Sequence, residues 1–142
     1  MITGENKYKR YTLGWSIDGV GDLNGDNISD FIISAIDYDK RGSNPGRGKI
    51  YIFFGRSGGW SNSELNALEA DASFLGEEIG DQAGWNIQGA GDVNGDGYDD
   101  FLIGAWKNSS TYPEAGKAYL IHGKPDGWLH DASLSDITSF FT

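Results

Sequence analysis

Apolar residues in this chain of 142 come in short uninterrupted runs rather than in a helical stripe. Asp30-Phe-Ile-Ile-Ser-Ala-Ile36 and Lys49-Ile-Tyr-Ile-Phe-Phe-Gly55 are two such runs, and residues 100–106 and 117–123 supply two more. Each has the length of a strand and is bounded by turn residues, which predicts strands buried on both faces. A glycine-rich strand is expected ahead of each pair, at residues 14–20 and 84–90, with Trp15 and Ile17 on one face of the first. Glycines inside a strand predict close approach of another backbone. Residues 72–75 and a stretch near 138–141 predict short outer strands, while residues 4–11 and 37–48 read as polar loops. Ser61-x-x-Glu64 has the form of a capping box, and with Leu65 and Leu68 three apart it predicts a short helical turn.

The whole series occurs twice, in units of about 4–73 and 74–142. Four short antiparallel strands, apolar on both faces and repeated every ~70 residues, predict an all-β chain of two four-stranded β-propeller blades. A sandwich sheet would keep one wet face and alternate more cleanly. The 22 glycines against 3 prolines fit a chain with many tight turns.

The connection between the first and second strand of each unit carries the chemistry. Asp22, Asn24, Asp26 and Asp30 stand at positions 1, 3, 5 and 9 of one loop, and Asp92, Asn94, Asp96 and Asp100 repeat them in the other. Alternation turns the first three side chains toward one centre, and tight glycine turns aim the carbonyls of position 7, Ile28 and Tyr98, the same way. Asn27 replaces Gly97 at the sixth position, and Asn is the best substitute for Gly in a left-handed conformation. All-oxygen donors without Cys or His suit Ca²⁺, one structural ion per loop, better than Mg²⁺, which keeps its waters and demands stricter geometry. An EF-hand or dockerin loop needs a carboxylate at position 12, where this chain has Ile33 and Ile103. An Asx-rich turn without metal is the plainer alternative, opposed by the mutual repulsion of three carboxylates.

Charge narrows the partners. The formal charge is −10, and two Ca²⁺ would leave about −6, which argues against nucleic acid. There is no cysteine, so neither a disulfide nor a thiolate site is possible. No stretch reaches the ~18 apolar residues of a membrane span, and the first residues lack the apolar core of a signal peptide. The chain is therefore expected to be either intracellular or a piece of a longer secreted protein.

These residues resemble the FG-GAP repeats that form the blades of integrin α-subunit propellers and of many bacterial surface proteins. Phe54-Gly55 matches the first element, with His122-Gly123 in the second copy, and Ser34-Ala35-Ile36 and Gly104-Ala105-Trp106 stand at the second element. The Asp-x-Asn-x-Asp-x-x-x-Asp pattern matches in both loops. The resemblance covers nearly the whole chain. It implies a β-propeller with Ca²⁺ between the first and second strand of each blade, and a role in adhesion or ligand binding at the cell surface or outside the cell.

Other functions have weaker support. Two histidines and no cysteine offer little for catalysis, so no enzyme is expected, although a carboxylate pair acting on a polysaccharide is conceivable. The five tryptophans raise a carbohydrate-binding alternative, since rings stack on sugars. Trp15 aligns with Trp85 and Trp60 with Trp128, which favours packing for these four, and Trp106, without a twin, is the one expected to be exposed. Lys40, Arg41 and Arg47 lie in a loop that differs between the units, where recognition could reside, although solvated charge explains them as well. The end of the chain, Thr138-Ser-Phe-Phe-Thr142, resembles residues 71–75, and Ile2-Thr-Gly-Glu5 resembles Phe74-Leu-Gly-Glu77. Head-to-tail joining into a closed ring, as a homotrimer or homotetramer, is therefore expected, with a protein or glycan as possible ligand.

Overall fold

The computed structural model describes residues 1–6, 9–61 and 64–137, and the backbone of 140–141. It is all-β, with two short 3-10 turns. In chain order the strands are β1 (Ile2–Thr3), β2 (Leu13–Gly21), β3 (Asp30–Ala35), β4 (Lys49–Phe53), β5 (Leu65–Asn66), β6 (Ala72–Leu75), β7 (Asn86–Gly91), β8 (Asp100–Ala105), β9 (Lys117–Ile121), β10 (Ala132–Ser133) and β11 (Phe140–Phe141).

Two antiparallel sheets follow the two units. The first runs β2-β3-β4-β6 and the second β7-β8-β9-β11, with one short strand, β5 or β10, skipped before the last of each. The register repeats: Ile33 faces Tyr51 across β3 and β4 as Ile103 faces Tyr119 across β8 and β9. A register irregularity breaks the first pairing of each sheet at the same place, between Gly19 and Gly21 and between Gly89 and Gly91. The strands expected at residues 72–75 and near 138–141 are β6 and β11; residues 138, 139 and 142 lie outside those described.

Two two-residue parallel pairings are unforeseen in the sequence, and one of them, β10 on β6, joins the units. β10 lies on the free edge of β6, so the first sheet has five strands, and β1 lies on β5 in the same manner. The helical turn also differs from expectation. It is the 3-10 segment Ala67–Glu69, whose capping box is made by Asn66 and Glu69 rather than by Ser61 and Glu64. Pairing of Leu65–Asn66 with β1 extends the chain there and moves the turn past it; residues 62 and 63 lie outside those described.

The main core lies between the sheets. Ile32, Ile50, Ile52 and Phe74 of the first sheet pack against Ile87, Phe101, Ile103 and Tyr119 of the second. A second cluster on the other face of the first sheet holds Ile33, Tyr51 and Phe53 under Trp60, Leu65 and Tyr11. β4 is thus buried along its whole length, as its apolar run requires. The inner strands β2 and β7 meet so closely that a Cβ on Gly89 would lie 3.1 Å from the Gly19 carbonyl oxygen. The outward side of the second sheet is more open, with Leu102 and Ala118 exposed.

Candidate metal loops

Each loop is folded by its own side chains. The Asp22 carboxylate accepts from the amides of Gly25 (2.7 Å), Asp26 (3.1 Å) and Asn27 (2.7 Å). Asp92 accepts from Gly95 (2.7 Å), Asp96 (3.0 Å) and Gly97 (2.8 Å). The Asn24 side-chain oxygen takes the Asp26 amide, and Asn94 takes that of Asp96, both at 3.1 Å. Asp26 accepts from the Ile28 amide (2.9 Å), and Asp96 from the Tyr98 amide (3.0 Å). Asn27 has φ +64° and Gly97 φ +93°, so both sixth positions are left-handed, as the substitution implied.

Position 9 has a second task that sequence reasoning missed. Asp30 is buried, and its two oxygens accept from the amides of Leu23 and Gly55, both at 2.8 Å. Asp100 does the same with Val93 and Gly123, both at 2.9 Å. This carboxylate braces the candidate metal loop to the glycine that follows the third strand of its unit. Burial pushes the Asp30 carboxyl up to about 6, against the pull of the Gly55 and Leu23 amides and with added repulsion from Asp26 and Asp22. The amides around Asp92, Gly97 first, hold its exposed carboxyl below the ordinary range.

Among the described residues, no three His, Cys, Asp or Glu side chains are already gathered around a metal-sized centre. The residues nevertheless fit a hard cation. An ionised carboxylate has about four lone-pair sites, and the amide bonds leave at least one unused on Asp22, Asp26 and Asp30, and likewise in the second loop. Among the described residues the Asn24 and Asn94 side-chain oxygens also accept one hydrogen bond each. Every donor is an oxygen, the set that Ca²⁺ takes.

The second loop has a neighbour that the first lacks. His122 Nδ1 lies 3.3 Å from Asp100 Oδ1 and 3.3 Å from Asn94 Nδ2. Its counterpart Phe54 packs edge-on against Trp128 with ring centres 5.7 Å apart. The two loops also touch. Asp99 accepts from the Asp22 amide through its side chain, and the Tyr98 ring lies where a Cβ on Gly25 would be.

At the opposite ends of β2 and β7 the tryptophans assemble. Trp15 and Trp85 have ring centres 4.7 Å apart, and Trp85 and Trp106 5.0 Å apart. All three stay exposed, by 46%, 38% and 45%. Trp15 and Trp85 therefore pack, as expected, but on each other at the surface rather than in the core, and Trp106 is exposed as expected. Trp60 and Trp128 pack against phenylalanines. The cationic loop is accounted for by its own acids: Lys40 pairs with Asp37, and Arg41 and Arg47 with Asp39.

Residues 83–121 match the FG-GAP repeat family. The chain is 33% identical over 111 residues to mouse integrin alpha-IIb, covering 78% of this chain and 10% of that protein. It is 30% identical over 122 residues to integrin alpha-5 of Xenopus laevis, covering 86% of this chain and 11% of that protein. The chain thus spans about a tenth of the length of the curated relatives it matches. The match begins just before Gly84-Trp85 and ends with β9, so it takes in the second candidate loop and the strands on either side. The chain is therefore an FG-GAP repeat protein, related to the integrin α chains.

Proposed function

We propose that the chain is a calcium-stabilised β-propeller module for adhesion or ligand binding, each sheet being one blade, and that copies join head to tail. The observation that carries the reading is the agreement of the two loops, hydrogen bond by hydrogen bond, on the same Asp-x-Asn-x-Asp-x-x-x-Asp pattern. Asp22, Asn24, Asp26, Asp30 and the Ile28 carbonyl would hold one ion, and Asp92, Asn94, Asp96, Asp100 and the Tyr98 carbonyl the other. A bound Ca²⁺ supplies positive charge where carboxylates repel. The protein's part is to hold loop and brace in place, so that binding energy becomes folding energy. Loops of this kind that work at the calcium levels of extracellular modules support a parent protein outside the cell or at its surface.

Among the described residues no helix is long and apolar enough to cross a membrane. On this reading the module binds rather than catalyses, with a protein as its ligand, and its kinship to the integrin α chains supports that. Calcium titration by calorimetry tests the metal reading: two bound ions per chain are expected, and no heat of binding overturns it.

A second reading, carbohydrate binding, draws on the exposed cluster of Trp15, Trp85 and Trp106. Glycan-array binding by the wild type that Trp106→Ala abolishes would favour it. Turnover of a bound polysaccharide in the presence of Ca²⁺ would instead favour an enzyme.

A further inference from the structure

The joint between the two sheets shows what the outward faces lack. At the joint, the Ile87 amide donates to Ser16 Oγ (3.3 Å) and the Gly89 amide to Asp18 Oδ2 (2.8 Å). The Asp22 amide donates to Asp99 Oδ2 (2.8 Å), the Asp99 amide to the Asp22 carbonyl (3.0 Å), and the Lys124 amide to the Leu23 carbonyl (2.9 Å). The first sheet thus offers one side and the second sheet the other. Each sheet also carries, at repeat-equivalent positions, the side that it does not use here.

Those unused sides match. Ile87 is 3% exposed in the joint, and its equivalent Ile17 on the first sheet is 62% exposed. Ile32 is fully buried in the joint, and its equivalent Leu102 on the second sheet is 38% exposed. The space beside Gly21 and Gly25 is filled by Asp99 and Tyr98, while the space beside Gly91 and Gly95 is empty. Asn86 and Gln88 stand exposed on the second sheet where Ser16 and Asp18 stand on the first, and Ser29 stands where Asp99 does. Each replacement keeps an oxygen that can accept a backbone amide.

We infer that the outward face of the second sheet (Asn86, Gln88, Leu102, Gly91) seats on the outward face of the first sheet (Ile17, Gly19, Ser29) in another copy of this chain. This rests on the head-to-tail joining proposed above and names its surfaces. Asn86 accepts the partner copy's Ile17 amide, Gln88 its Gly19 amide, and Ser29 the Asp92 amide across the same joint. The joint inside the chain uses the acids Asp18 and Asp99, whereas the joint between copies is neutral at all three positions. That difference discourages a wrong register, since each outward face meets a partner with a different donor and acceptor set. β1 occupies, on β5, the position that β6 occupies on β10, so the arriving end of β11 displaces β1.

The test uses the full chain with Ca²⁺ and two variants at exposed positions, Ile17→Glu and Leu102→Glu, with far-UV circular dichroism confirming that both fold. Light scattering coupled to size exclusion should show the wild type as an assembly and each variant alone as a monomer. An equimolar mixture of the variants should give a dimer and nothing larger, because one intact joint survives between them. A wild type that stays monomeric at all concentrations overturns the head-to-tail reading and this joint with it. A wild type that assembles, with variants that assemble equally well, overturns the joint alone. Variants that each dimerise without the other show a face pairing with itself, which also overturns it.

Discussion

The Asp99 carboxylate accepts the Asp22 amide at 2.8 Å, and the Asp22 carbonyl accepts the Asp99 amide at 3.0 Å. This reciprocal pair ties the first residue of one candidate metal loop to the eighth of the other. Asp99→Ala leaves a part-buried amide unsatisfied and is expected to cost about 1–3 kcal/mol. Thermal unfolding checks the cost. Calcium binding at the first loop should weaken in the same variant, because Asp22 loses its support, and Asp99→Asn should restore part of both.

Phe101 and Phe31 are equivalent residues in unequal surroundings, since Phe101 is fully buried and Phe31 only partly so. Phe101→Ala removes a side chain that meets Phe74 edge-on, with ring centres 6.3 Å apart, and should cost about 3–5 kcal/mol. Phe31→Ala should cost clearly less. Equal losses in denaturant titrations would contradict the packing described.

Calcium removal should lower the melting temperature. With a Kd of about 10⁻⁴ M, millimolar Ca²⁺ contributes about 1.4 kcal/mol per site. The first site should be the weaker, because Asn27 holds a left-handed φ of +64° that costs Asn more than Gly. Isothermal titration of Asp26→Ala, which keeps the second site, should therefore show tighter binding than Asp96→Ala. Asn27→Gly should narrow the gap.

Acid should act on the calcium-free protein in an unusual direction. Asp30 has its folded pKa raised to about 6 from the ordinary 3.8, chiefly by burial. The folded state then binds the proton more tightly than the unfolded chain, so this group's contribution to stability grows as pH falls from about 6 toward 4. Calcium binding needs the ionised form and should fade over the same interval. Melting curves with EDTA and calorimetry with Ca²⁺, both at pH 5 and pH 7, test the two halves. Asp30→Asn should abolish the part of the pH slope due to this residue.

Local pattern determined much of this protein. The apolar runs at residues 30–36 and 49–55 became β3 and β4 because strand formation there needs only residues that suit both faces of a sheet. The left-handed turn at Asn27 was legible because loop geometry at that scale depends on neighbours within five residues. Tertiary structure decided the rest. The brace from Asp30 to Gly55 spans 25 positions and the bond from Asp99 to Asp22 spans 77, and no local signal names such partners. Ile17 and Ile87 sit in near-identical sequence, yet one is exposed and the other buried, because burial depends on which sheet lies opposite. Trp15 and Trp85 repeat at equivalent positions, a pattern that suits a core, yet adjacent inner strands bring them together at an open rim. Repetition in sequence specifies the same strand and the same loop twice, while the surroundings of each copy follow from its place beside the other.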